Sequence, residues 1–179
     1  YSSDYYVLPF EEKEDVAVNI YSKSYGENWV RILWKNDSND AAGFVASSET
    51  DYTKRTTQSM DIDMTDEEQL WCLVGSESKG VKIYNRAAGE QYALHVANTS
   101  EATPAKLVAA SSACQWKLVA KNGFYAITPA SNTNMSINSY GGPNSPLKLY
   151  NANDNGSLWN FEVVTEGMKM TTIIEGENP

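Results

Sequence analysis

Histidine and cysteine are almost absent: His95 is the only histidine, and Cys72 and Cys114 are the only cysteines in 179 residues. A Ser-His-Asp or Cys-His mechanism would have to use His95 as its base. That residue stands between Leu94 and Val96 in a strand-like alternation, where a structural imidazole is the simpler role. Two cysteines cannot build a disulfide framework and lack metal-ligand spacing. Each adjoins a tryptophan and reads as a buried free thiol rather than half of a bridge. The sequence holds no Gly-x-Ser-x-Gly elbow, phosphate loop or His-Glu-x-x-His helix, so it implies no catalytic residue, metal or cofactor. No apolar run approaches the ~18 residues a spanning helix needs, so no membrane span is expected. Helical periodicity is scarce as well.

Basic charge is short too. The formal net charge is −9, and its distribution is informative. Residues 1–28 hold 6 acids and 2 bases, residues 29–165 hold 14 and 11, and residues 166–179 hold 3 and 1. With no basic stripe to neutralise phosphates, nucleic acid is excluded as an expected partner. The acids at the start (Glu11, Glu12, Glu14, Asp15) precede an apolar stretch, Val16-Ala17-Val18-Asn19-Ile20, and read as a solvated face. A second acidic cluster, Asp61, Asp63, Asp66, Glu67 and Glu68, lacks the glycine of a calcium loop and reads the same way. The chain starts at Tyr1 without Met, which fits a mature or excised piece of a longer protein.

What is present in quantity is repetition. Trp71, Trp116 and Trp159 are 45 and 43 residues apart, and each opens a strand-like run: Trp71-Cys72-Leu73-Val74, Trp116-Lys117-Leu118-Val119 and Trp159-Asn160-Phe161-Glu162-Val163. Ahead of each stands an alternating triplet: Met60-Asp61-Ile62, Ala105-Lys106-Leu107 and Leu147-Lys148-Leu149. Upstream again come Phe44-Val45-Ala46, Leu94-His95-Val96 and Met135-Ser136-Ile137. Each unit opens with a fourth strand: Trp29-Val30-Arg31-Ile32, Val81-Lys82-Ile83-Tyr84 or Phe124-Tyr125-Ala126-Ile127. Turn residues separate the runs, as in Asn36-Asp37-Ser38-Asn39-Asp40, Gly141-Gly142-Pro143-Asn144 and Asn153-Asp154-Asn155-Gly156. A unit this short cannot bury its apolar face alone, so three must share one core. The expected organisation is an N-terminal extension (1–28), three repeats (about 29–78, 79–121 and 122–165) and a C-terminal tail (166–179).

Gln69-Leu70-Trp71 resembles the Gln-x-Trp signature of ricin-type β-trefoil domains, with Cys114-Gln115-Trp116 and Ser157-Leu158-Trp159 as decayed copies. The resemblance covers residues 29–165 and implies an all-β chain of three four-strand repeats. In that family the tryptophan is a core residue. The alternative, a sugar-stacking stripe, is less consistent with large aromatics set among strand-period neighbours.

The resemblance also implies a shallow sugar site in each repeat: an Asp in the second strand, an aromatic platform after the third and polar residues at the start of the fourth. Such a mixture suits a sugar, which offers C–H bonds to a ring face and hydroxyls to carboxylates and amides. Repeat one places Val45 and Asp63 at the first two positions. Repeat two places His95 and Val108 there, followed by Ala113 and Cys114. Both read as dead. Repeat three keeps Tyr150 as platform, with Ser136 in place of the Asp, Lys148 beside it, Asn138 and Tyr140 in the covering loop, and Asn153, Asp154 and Asn155 before the fourth strand.

The expectation is therefore a non-catalytic carbohydrate-binding module with a weak glycan partner, located outside the cytoplasm. It would be an accessory domain of a larger protein such as a glycoside hydrolase, possessing neighbouring domains it could touch. A structural or protein-interaction trefoil with decayed sugar sites is the alternative, and a trefoil protease inhibitor is a third.

Overall fold

The computed structural model describes residues 19–164, and the acidic run at 11–15, Val16-Ala17-Val18 and the 166–179 tail lie outside the described residues. Repeat one contributes β2 (Trp29–Trp34), β3 (Asp37–Phe44), β4 (Thr57–Asp61) and β5 (Trp71–Ser76). Repeat two contributes β6 (Gly80–Asn85), β7 (Tyr92–His95), β8 (Lys106–Ala109) and β9 (Trp116–Lys121). Repeat three contributes β10 (Phe124–Pro129), β11 (Met135–Ser139), β12 (Leu147–Asn151) and β13 (Leu158–Val164). A short β1 (Tyr21–Ser22) precedes them and pairs in parallel with β5, Tyr21 opposite Leu73. No helix among the described residues is long and apolar enough to cross a membrane.

The first and fourth strands of the repeats close a six-strand barrel in the order β2, β5, β6, β9, β10, β13 and back to β2. Within each repeat the pairing sets Val30 opposite Trp71, Val81 opposite Trp116 and Tyr125 opposite Trp159. Between repeats β5 pairs with β6 and β9 with β10, and β13 returns to β2 from Trp159–Trp34 through Val164–Trp29. Closure leaves the ring without an open edge. The remaining strands form three hairpins, β3–β4, β7–β8 and β11–β12. These are stitched to one another: Thr57 Oγ1 donates to the Ala105 carbonyl (2.6 Å), Ala105 N–H to Leu147 (3.0 Å) and Ser59 N–H to Ser145 (3.0 Å). Barrel and hairpin cap together make a β-trefoil.

All three repeated tryptophans play one role. Trp71, Trp116 and Trp159 are 1%, 0% and 0% exposed, and their indole N–H groups donate to the carbonyls of Ala42 (3.0 Å), Leu94 (3.0 Å) and Ile137 (2.9 Å). Each indole so joins the barrel to the second strand of its own repeat, burying its ring and satisfying its one donor at once. They are core residues, not a stacking stripe. Of the thiols, Cys72 is buried, but Cys114 is only partly so, and both are free.

These indole bonds also set the register between repeats, and they revise the alignment of the hairpin strands. Ala42, Leu94 and Ile137 are equivalent, and across the hairpins they face Ser59, Leu107 and Leu149. The second-strand triplets are therefore Ala42-Gly43-Phe44, Leu94-His95-Val96 and Ile137-Asn138-Ser139. The third-strand triplets are Thr57-Gln58-Ser59, Ala105-Lys106-Leu107 and Leu147-Lys148-Leu149. In repeat one the structure sets the second- and third-strand triplets two and three residues earlier than the apolar pattern places them, and in β11 two residues later. Small inward residues, Ala42, Thr57 and Ser59, weaken the apolar alternation that sequence patterning relies on.

Candidate functional site

With the register corrected, each repeat presents one outward residue between its inward second-strand pair: Gly43, His95 or Asn138. The platform position after the third strand holds Met60, Val108 or Tyr150, and two residues before each tryptophan stand Gln69, Cys114 or Ser157. Val45 and Asp63 are thus replaced by Gly43 and Met60 as the repeat-one residues, and Ser136 by Asn138 in repeat three.

In repeat one the space beside Gly43 is taken by its neighbours: a Cβ there would lie 2.6 Å from Met60 Sδ and 3.2 Å from Gln69 Cγ. Gln69 itself is fully buried, accepting from Asp63 N–H (3.0 Å) and donating to the Asp61 carbonyl (2.9 Å). A groove of about 610 Å³ runs past Met60, Asp61, Asp63 and Asp66, but no aromatic ring lines it. In repeat two the His95 Nδ1 accepts the Cys114 N–H (3.0 Å), so the imidazole staples its repeat together. Burial pushes the Cys114 thiol up from its ordinary pKa.

Repeat three is built differently. A groove of about 560 Å³ gathers Asn138, Tyr140, Tyr150, Asp154 and Asn155. Tyr150 is placed by β12, where Leu147 and Leu149 point into the core and Lys148 and Tyr150 outward. Tyr140 meets it edge to face, ring centres 6.0 Å apart at 71°. The Lys148 ammonium lies 5.5 Å from the Tyr140 ring centre, flanking the groove rather than lining it. The Tyr140 hydroxyl donates to Glu101 Oε2 (3.3 Å), and desolvation together with that carboxylate raises the phenol's pKa.

Beneath the rings lies a polar floor. Asn138 Nδ2 donates to Asp154 Oδ2 (3.0 Å) and to Ser157 Oγ (2.9 Å), and Ser157 passes its own proton to the Asn151 carbonyl (2.8 Å). Asp154 Oδ2 also accepts Gly156 N–H (2.9 Å), capping the 3-10 turn Asn155–Ser157. Asp66 caps the matching turn of repeat one, Glu67–Gln69, so the carboxylate is a threefold-related feature that repeat two lacks. Both bonds of Asp154 run through Oδ2, and Oδ1 has no partner among the described residues. An acid thus reaches the site from the turn before the fourth strand instead of from the second strand.

Two predicted residues do not belong. Ser136 is fully buried; its hydroxyl accepts Ile127 N–H (2.9 Å) and donates toward the Ser157 carbonyl (3.0 Å), so it serves the interior. Asn153 stands outside the groove, accepting from Lys121 Nζ (2.9 Å). Conversely, Trp34, Asn36 and Glu101 line the groove without any local signal, because they come from repeats one and two. Gly141 (φ 132°) and Gly142 (φ 100°) form the remaining wall in a conformation L side chains avoid, and Gly141 packs with a built Cβ position only 3.0 Å from Ser145 Oγ. Among the described residues no group of three or more His, Cys, Asp or Glu side chains is placed to hold a metal ion.

The fold is one shared with ricin B-like lectins and other β-trefoil proteins. Among solved structures, a mosquitocidal holotoxin is similar at 20% identity over 85% of this chain and 18% of its own, with a TM-score of 0.66. A Macrolepiota procera ricin B-like lectin, in complex with lactose, is 14% identical over 81% of this chain and 99% of its own, TM-score 0.62. An exo-β-1,3-galactanase from Clostridium thermocellum is 15% identical over 78% of this chain and 31% of its own, TM-score 0.63. The chain thus spans under a fifth of the holotoxin's length. No protein-family model matches the sequence, and no curated protein matches it.

Proposed function

We propose that this chain is a non-catalytic carbohydrate-binding module working through its third repeat, as an accessory domain of a larger extracytoplasmic protein. One observation carries the reading: the Tyr140–Tyr150 pair and the Asn138–Asp154 pair open into the same groove. Rings of this kind take the C–H face of a sugar, and in this reading Asp154 Oδ1 and the Asn155 amide meet its hydroxyls. The lactose-bound lectin shares the fold, and the galactanase and holotoxin are much longer chains, which supports a role as one part of a larger protein. A histidine-based mechanism has little support, since His95 has its Nδ1 engaged by the Cys114 amide.

The test is a glycan array followed by calorimetry at millimolar sugar, comparing the native chain with Tyr150→Ala. The native chain should bind, and the variant should lose about tenfold or more in affinity, since a stacked aromatic contributes roughly 1–3 kcal/mol. Equal binding by both would refute the assignment, and release of reducing sugar during incubation would refute its non-catalytic part. A protein-interaction trefoil is the second reading, favoured by Met60 and Val108, which leave two of the three platforms without a ring. Under that reading no glycan binds either chain.

A further inference from the structure

The charged side chains lining the repeat-three groove are both carboxylates, Glu101 and Asp154. They come from different repeats, so their meeting is a product of threefold closure rather than of a local sequence cluster. Glu101 has one oxygen on the Tyr140 hydroxyl, and Asp154 has one on Asn138 and Gly156. Each carboxylate keeps its second oxygen without a partner among the described residues. Two tyrosine rings set edge to face line the same groove, and one of them already holds a cation near its face, the Lys148 ammonium at 5.5 Å. Aromatic faces flanked by free carboxylate oxygens make a recognised environment for an ammonium group, through ring quadrupole and charge-assisted hydrogen bonds together. An anionic substituent in the same groove would face two carboxylates and no lining cation, since Lys148 stands outside the lining.

Resting on the glycan reading above, we propose that the groove is selective for sugars bearing a free amino group, taking the ammonium between Asp154, Glu101 and the tyrosine pair, and rejects carboxylated or sulfated sugars. The sugar ring supplies the C–H face for Tyr150, and the protonated amine supplies the donors that both acids lack.

The experiment is calorimetry at low salt and mildly acidic pH with two matched series, galactosamine, galactose and galacturonate, and glucosamine, glucose and glucuronate. In at least one series the amino sugar should bind about fivefold or more tightly than its neutral parent, the size expected of one ammonium–aromatic contact. The acidic member should bind most weakly. High salt should narrow the gap. The conservative variant Glu101→Gln keeps the Tyr140 contact, so it should retain the neutral sugar and lose the amine preference, whereas Asp154→Asn should weaken neutral and amino sugar alike. Equal binding of amino and neutral sugars overturns this inference and leaves the glycan reading standing. Competition by N-acetyl-lysine amide as strong as that of the amino sugar also overturns it, because the groove would then be reading a basic peptide. Failure of every sugar to bind removes the inference and the glycan reading together.

Discussion

Asp40 is 2% exposed and carries a buried Oδ2 with no hydrogen-bond partner, directly across the β3–β4 ladder from Asp61. Desolvation first, then the carboxylates of Asp37 and Asp61, raise its pKa above the ordinary carboxylate value. The folded state therefore holds this proton to higher pH than the unfolded chain does. Its contribution to stability is complete below the ordinary carboxylate pKa and is lost as pH rises through the raised folded value. Asp40→Asn should accordingly stabilise the protein near neutral pH by about 1–3 kcal/mol, the cost of a buried unsatisfied group. That advantage should shrink on acidification, which urea titrations of both chains across the acidic range would show. A constant difference at every pH would mean that Asp40 is not the titrating group. Arg55 is a buried charge held mainly by partners, although its Nε has none: it pairs with Glu68 at 3.1 Å and lies 5.4 Å from the Phe44 ring centre and 5.0 Å from that of Tyr52. The Tyr52 phenol, desolvated and donating to Glu68 at 2.6 Å, is pushed up to about 12.

At the scale of elements, the hairpins of different repeats hold one another. Ser59, on β4 of repeat one, occupies the place that Leu107 and Leu149 fill in the other repeats. The hydroxyl it introduces into the core meets Ser139 at 2.6 Å and accepts the Ser145 N–H at 3.1 Å. It thereby anchors both ends of the loop that walls the repeat-three groove through Gly141 and Gly142. Ser59→Ala would leave two buried partners short, costing about 1–3 kcal/mol. The Ser145 amide should then exchange hydrogen faster while the tryptophan amides in the barrel stay protected, and glycan affinity should fall although no residue of the groove has changed. Unaltered exchange at Ser145 would show that the loop is held without Ser59. This coupling also explains why the Gly-Gly wall can be glycine-rich and still defined: side chains pin its ends in addition to the backbone bonds from Tyr140 N–H to Pro146 (3.0 Å) and Gly142 N–H to Ser139 (3.1 Å).

For the whole molecule, the decisive bond set is the return of β13 to β2, six residue pairs from Trp159–Trp34 to Val164–Trp29. A ring closed by its last and first repeats shares one core, so no repeat keeps a packed interior without the others. Unfolding should be a single cooperative transition, with tryptophan fluorescence and far-UV circular dichroism giving one midpoint in urea. Two separated midpoints would identify a repeat that folds by itself.

The tryptophan spacing and the apolar alternation were enough, as sequence, to determine the three repeats, the barrel strands and the buried indoles. Those features are local and periodic, and the strand period of two writes them directly into the order of residues. The hairpin register was not legible in the same way, since Ala42, Thr57 and Ser59 point inward without being large and apolar. Tyr150 was recognisable in its own strand, and so were Asn138, Tyr140, Asp154 and Asn155 close to it. Closure alone brought Glu101, Trp34 and Asn36 against them, while the β11–β12 register turned Ser136 inward. Residues far apart in the chain become neighbours only when the third repeat docks between the other two, and a linear pattern carries no record of that rotation.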